Sequence, residues 1–418
     1  MKKIVLSIAG VMAAAAFAPE ASALPAFARQ TGMACNACHQ QHFPVLNGFG
    51  RAFKAAGYTM MGAQEKVEGE HLSIPATLNA AFLFKYRYVK DGGRAGVVGA
   101  GTTAATTTAN GQHQLGDEFS LFFGGRVAEN IGFLFEGNTA NVGGALVAGF
   151  KMPVIFDLGS AKVGVIPFTT DALGVQYGFE LSSTGAMRAN RWSEMRAETS
   201  AVQYLGMDGA ASGLAFIAQN DMGYINVTKW SPSFAPGSNG QQAATPSTDF
   251  KNNYIRIAAT PTIADWATHI AYGQASGSSF ANMAGVQQET RGSFFDVQAH
   301  GEVGGKDLGV YLTQGNVPAA NALVASAYLA GAQAKKAWTI GADYSVIPHT
   351  LHIGGAFRSA RNAAGNKDDS TMVQAIYDLT QNVALHAYYT SYSGNVAGTA
   401  TKTAGRSNRT LLMLEASW

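Results

Sequence analysis

Three residues in one short run carry the chemistry of this sequence. Cys35 and Cys38 are the only two cysteines in 418 residues, and His39 follows at once. Two thiols at this spacing fit the two vinyl groups along one haem edge, and the adjacent imidazole then meets the iron from one face. A disulfide is the competing use of the pair in an oxidising compartment. Zinc would need two further ligands close by. The added histidine and the lack of other cysteines favour one covalently bound haem c, with His39 on the iron.

The residues around this motif suit a small haem pocket. Pro44 fits the first turn of a helix, and Leu46, Phe49 and Phe53 fall on one face of it. Gly57 is the expected stop. Arg51 and Lys54 on that helix are candidates for the haem propionates; the competing reading is two solvated charges. For the second axial position Met33, His42, Met60, Met61 and His71 are all in range. His42 is too close to His39 to cross the haem, and Met33 lies beside the attachment site. Met60 or Met61, just after the helix, is the preferred distal ligand, and a thioether there raises the potential. His71, a ligand elsewhere and an open position stay as alternatives.

The rest of the chain must position this segment. Charged residues are only 13%, against a usual share of about 25%. The formal charge is +2. Such a chain lacks the basic patch of a nucleic-acid binder and the charge of a disordered one. Residues 1–23 read as a signal peptide: Lys2 and Lys3, an apolar run from Ile4 to Phe17, then Ala21-Ser22-Ala23. Residues 24–70 form the haem segment, and 71–418 a separate unit. No later apolar run reaches the ~18 residues of a spanning helix, so any membrane contact must be made by a barrel.

From about Ala76 the text alternates with period two. Phe82, Phe84, Tyr86 and Tyr88 oppose Lys85 and Arg87; Phe119, Leu121 and Phe123 oppose Glu118 and Ser120; Phe295, Val297 and Ala299 oppose Asp296, Gln298 and His300; Leu385, Ala387 and Tyr389 oppose His386 and Tyr388. Tight turns are expected at Glu129-Asn130, Gly304-Gly305, Pro348-His349 and Gln381-Asn382. Long loops are expected over 90–116, 231–249, 275–291 and 358–369. Short turns at one end and long loops at the other are the habit of outer-membrane barrels. The last strand places Thr410, Leu412, Leu414, Ala416 and Trp418 on one face. At about 20 residues per strand and connection, the span allows about 16 strands, within a range of 16 to 18. The expected fold is all-β: a transmembrane antiparallel barrel with a small helical cytochrome segment docked in or at its lumen. Lys85, Arg87, Glu118, Arg126 and Glu136 should face that lumen. His113, His269, His300, His349, His352 and His386 are scattered, and no hydrolytic triad is visible.

Phe27-Ala28-Arg29-Gln30-Thr31-Gly32, the run from Cys35 to His39, Phe43-Pro44-Val45-Leu46, Phe49-Gly50-Arg51, Phe53-Lys54 and Gly57-Tyr58 together resemble the fused monohaem cytochrome–porin family of the bacterial outer membrane, the proposed iron(II) oxidases of iron-oxidising bacteria. Over the barrel the resemblance is architectural only. It implies haem on Cys35 and Cys38, His39 as proximal ligand, and electron flow from extracellular iron(II) to periplasmic carrier cytochromes. The alternative is a diffusion porin with a tethered haem carrier or redox sensor using another donor; a purely structural haem segment is a third reading.

Overall fold

Side chains along a strand point alternately to opposite faces, so the alternating text builds a sheet with one oily side. In the computed structural model that sheet closes on itself into an antiparallel barrel. The structure describes residues 25–62, 64–93, 110–139, 146–234, 249–281, 286–321, 323–328, 330–394 and 406–418. The signal-peptide segment and most of the expected 90–116 loop lie outside these.

The barrel strands are β1 (Ala80–Gly93), β2 (Gln112–Ala128), β3 (Ile131–Asn138), β4 (Val147–Lys151 and Val154–Asp157), β5 (Lys162–Thr170), β6 (Ala211–Asn220), β7 (Gly223–Ser231) and β8 (Asn252–Ala259 and Thr262–Ile263). They continue with β9 (Trp266–Ser276), β10 (Gly292–Val303), β11 (Lys306–Val317), β12 (Lys335–Ile347), β13 (Leu351–Arg361), β14 (Asp369–Thr380), β15 (Val383–Ser393) and β16 (Arg406–Ser417). Each of β4 and β8 is one strand broken at a proline, Pro153 and Pro261, which has no N–H for the ladder. Sixteen strands therefore go round, and β16 pairs with β1 to close the ring.

The expected tight turns join β2 to β3, β10 to β11, β12 to β13 and β14 to β15. The long connections all lie at the opposite end. Two expected loops are shorter than the sequence suggests. Strand β1 runs on to Gly93 and pairs Tyr88 with His113, while β13 runs to Arg361 and pairs Arg358 with Ser370. Polar residues continue the ladders there because backbone pairing does not depend on an oily face.

The outward face is apolar. Phe216, Ile225, Ile255, Ile257, Ile340, Ile353, Val373, Leu385 and Leu412 are all exposed, as befits a wall turned to lipid. Inward polar side chains are buried, not wet: Asn226, Arg256, Asp296, Gln298 and Thr313 are 0% exposed. Two segments cover them. One is the N-terminal segment, with helices α1 (Pro25–Thr31), α2 (Cys35–Cys38) and α3 (Gly48–Ala55). The other is the connection 171–210 between β5 and β6, with the short helices α4 (Arg196–Thr199) and α5 (Ala201–Tyr204), which folds inward.

That inward connection was not expected from the sequence. Its charges pin it to the wall. Glu180 accepts from Arg256 Nε at 2.9 Å, and Glu194 meets Lys85 at 2.9 Å and Arg87 at 2.8 Å. Lys85 also reaches Glu118 at 2.8 Å and Glu415 at 3.3 Å. The lumen charges Lys85 and Arg87 thus dock a segment of the barrel's own chain, with Glu118 bracing Lys85 from the wall.

Candidate functional site

The N-terminal segment meets the wall near the short turns. Gln41 Nε2 donates to the carbonyls of Asp307 and Asp343, and His42 Nε2 lies 3.2 Å from Asp343 Oδ2. Gln219 Nε2 donates to the Ala55 carbonyl at 2.6 Å, and Cys35 Sγ to the Gln381 carbonyl at 3.4 Å. Gln219 is next to last in β6 and Gln381 lies in the β14–β15 turn, both at the tight-turn end, and Asp343 lies in the half of β12 nearer that end.

Cys35 to Cys38 make one helical turn, closed by His39 N–H on the Cys35 carbonyl at 2.9 Å. The two cysteines are not joined in a disulfide. Asn47 ties this turn to α3. Its amide donates to the carbonyls of Asn36 and Ala37, its backbone N–H to that of Cys38, and its side-chain oxygen caps α3 at Gly50 N. That cap explains why α3 begins at Gly48 and not near Pro44, which sits in the preceding turn. The apolar face is narrower than expected: Phe53 is buried, Phe49 is exposed and Leu46 precedes the helix. Gly57, at φ +69°, ends it as expected.

His39 Nδ1 lies 3.2 Å from the Val45 carbonyl, which makes it the protonated nitrogen. Nε2 makes no hydrogen bond among the described residues and keeps its lone pair. Burial also pulls the imidazole pKa down to about 4, favouring the neutral ring that a metal ligand must be. His39, Cys38, Phe27, Phe43, Leu46 and Phe53 line a cavity of about 410 Å³, whose far walls come from β1 to β4 and the inward connection. That volume is within the usual range of ligand pockets. Cys35 faces a second cavity of about 220 Å³, and His39 and Phe43 separate the two.

The other sequence candidates divide. Lys54 lines the larger cavity, while Arg51 turns away to the Leu46 carbonyl (3.1 Å) and His300 (3.4 Å). Lys54 is buried with no hydrogen bond or salt bridge among the described residues, and burial lowers its pKa to about 7 against the pull of Glu180. Met60 and Met61 do not line the cavity; the Met60 carbonyl accepts from Gln30. The thioethers that line it are Met33 and Met187, the latter from the inward connection. His42 is committed to Asp343, and His71 is exposed at a hairpin turn beside Glu70. Sequence reasoning missed Asn47, Lys151 and Met187. Of these only Asn47, followed by a glycine and an apolar residue, carries a local signal, that of a helix cap.

A Cβ on Gly50 would run into the Cys38 carbonyl. Gly50→Ala should therefore push α3 off the Cys35–Cys38 turn. We expect a loss of about 1–3 kcal/mol in stability, read by thermal denaturation. Unchanged values would show that the two elements separate freely.

No family model matches the chain, and no curated protein matches it. Among solved structures it is similar to OmpT of Vibrio cholerae, at 12% identity over 85% of this chain and 100% of that one, TM-score 0.47. It is also similar to the outer membrane channel DcaP of Acinetobacter baumannii, at 12% identity over 82% and 97%, TM-score 0.46. A third is OccK10 (OpdN) of Pseudomonas aeruginosa, at 10% identity over 81% and 98%, TM-score 0.43. The barrel assignment stands on the strand pairing itself.

Proposed function

We propose that this chain is an outer-membrane electron conduit. A haem c is carried on Cys35 and Cys38 with His39 as proximal ligand, and electrons pass from extracellular iron(II) to periplasmic carrier cytochromes. The observation that carries the reading is the ring of His39, fixed through Nδ1 on the Val45 carbonyl beside a cavity that Cys38 also lines. Such an outer partner orients a ligating imidazole and raises its basicity.

When bound, the haem supplies a one-electron iron(III)/iron(II) couple. The chain's own residues do the rest. Asn47 holds the attachment turn on α3. Phe27, Phe43, Leu46 and Phe53 exclude water, which sets the local dielectric and so the potential. Lys54, with Lys151 across the same cavity, supplies positive charge for propionates; Arg51 is the weaker of the two original candidates because Leu46 and His300 already engage it. Of the thioethers that would hold the iron from the cavity, Met33 and Met187 line it, whereas Met60 and Met61 stand off it.

In the usual orientation of such barrels the short turns face the periplasm. The haem segment then lies where a soluble carrier cytochrome can reach it.

The test is stopped-flow absorbance of the purified, oxidised protein mixed anaerobically with iron(II). Fast appearance of the reduced haem spectrum is expected. No reduction by iron(II), in a sample that dithionite still reduces, would remove iron as donor and favour a redox-linked porin with another partner.

A further inference from the structure

We propose that the outer wall over β9 to β13 carries, at its long-connection end, a binding site for a phosphorylated lipid headgroup. This rests on the membrane reading above. The cross-strand register layers the wall. Ile270, Val297, Leu312, Ile340 and Phe357 are consecutive partners in one outward row. The next row, one step nearer the long connections, runs Tyr272, Phe295, Gln314, Trp338 and Ser359. The third runs Gln274, Ser293, Asn316, Lys336 and Arg361. Wholly apolar, then mixed aromatic and polar, then polar and cationic is the order met on leaving a hydrocarbon core for its headgroups.

The cations cluster within the third layer. Lys336 is the register partner of Arg361, and Arg361 is bridged to Lys367. All three side chains are exposed. Like charges directly opposite on one sheet face repel. Asp369 offsets only Lys367, at 2.9 Å. Lys336 has no salt bridge among the described residues, and Arg361 Nη1 reaches only the Gly365 carbonyl at 3.5 Å. Tyr272, Phe295, Trp338 and these three cations line one outer groove of about 680 Å³. An occupant needs an acyl body for the aromatic floor and a phosphate for the rim. A lipid phosphate has both, and a free phosphate lacks the first.

The test uses the full chain in detergent and native mass spectrometry. The probes are a diphosphorylated glucosamine-disaccharide lipid, the same lipid without its phosphates, and inorganic phosphate. The wild type should retain the phosphorylated lipid and discriminate against the other two. Lys336→Gln with Arg361→Gln should weaken retention roughly 30-fold, at the usual contribution per basic residue near an anionic surface. Lys229→Gln, an exposed lysine on β7, should leave it unchanged. Equal retention by the double variant, equal retention of the phosphate-free lipid, or displacement by inorganic phosphate at the lipid's own concentration would overturn the site. A wild type that fails to insert into phospholipid vesicles overturns the membrane reading itself; one that inserts without phosphate preference overturns only this site.

Discussion

Chains with alanine at both Cys35 and Cys38 should emerge with an intact barrel and no covalent haem. The expectation is all or none, because no other thiol exists to form a thioether. Expressed with the c-type maturation machinery, the wild type should carry one haem that survives denaturing electrophoresis and adds its mass to the chain. Either single variant should keep one thioether. The double variant should lose both the stain and the added mass. Its strand pairing should persist, since α2 contributes nothing to the wall ladders. His39→Ala should retain the attached haem but change its absorbance spectrum, because the ring that Val45 orients is gone. A mature wild type holding a Cys35–Cys38 disulfide and no haem would sink the assignment, and with it the conduit.

The wall was legible in the sequence because strand alternation is a local pattern. Lys85, Asp296, Gln298 and His386 face inward as alternation requires, and Phe295 and Leu385 face outward. The second segment inside the lumen was not legible. Connection 171–210 has no period to read, and its burial depends on partners far along the chain. Glu180 meets Arg256, and Glu194 meets Lys85. Lys85 was readable as a lumen charge, yet nothing near it in sequence names Glu194. Lys151 joins the cavity of His39 only because β4 passes it, which is a fact of barrel closure and not of spacing.

Arg256 is where that hidden connection is most exposed to a single change. The guanidinium is wholly buried, on Glu180 Oε2 at 2.9 Å and on Asp296 at 2.5 and 3.1 Å. Tyr224 adds a donor to Glu180 at 2.8 Å. Arg256→Met would leave two buried carboxylates without their cation, at a cost of about 3–5 kcal/mol. Glu180 sits on the inward connection, whereas Asp296 is fixed in β10. The cheapest relief is for the connection to swing out into water. We therefore expect a lower melting temperature and a clear rise in ion conductance in planar bilayers. The combined change Glu180→Leu, Arg256→Met, Asp296→Leu should restore stability close to wild type, since a packed apolar trio avoids the desolvation cost. The pH dependence follows with a definite sign. In the wild type, Arg256 and His269 overcome burial and hold the Glu180 carboxyl below its ordinary range. Its contribution is thus present above the ordinary carboxylate pKa and is lost as pH falls through the lowered value. Without Arg256, burial raises that carboxyl instead, so the variant gains on the wild type as pH falls from neutral towards 5. A gap that stays constant across this range would mean that Glu180 is not what holds the connection. A silent barrel in Arg256→Met, with its melting temperature reduced, would mean that the Glu194 cluster on Lys85 suffices to keep the lumen shut.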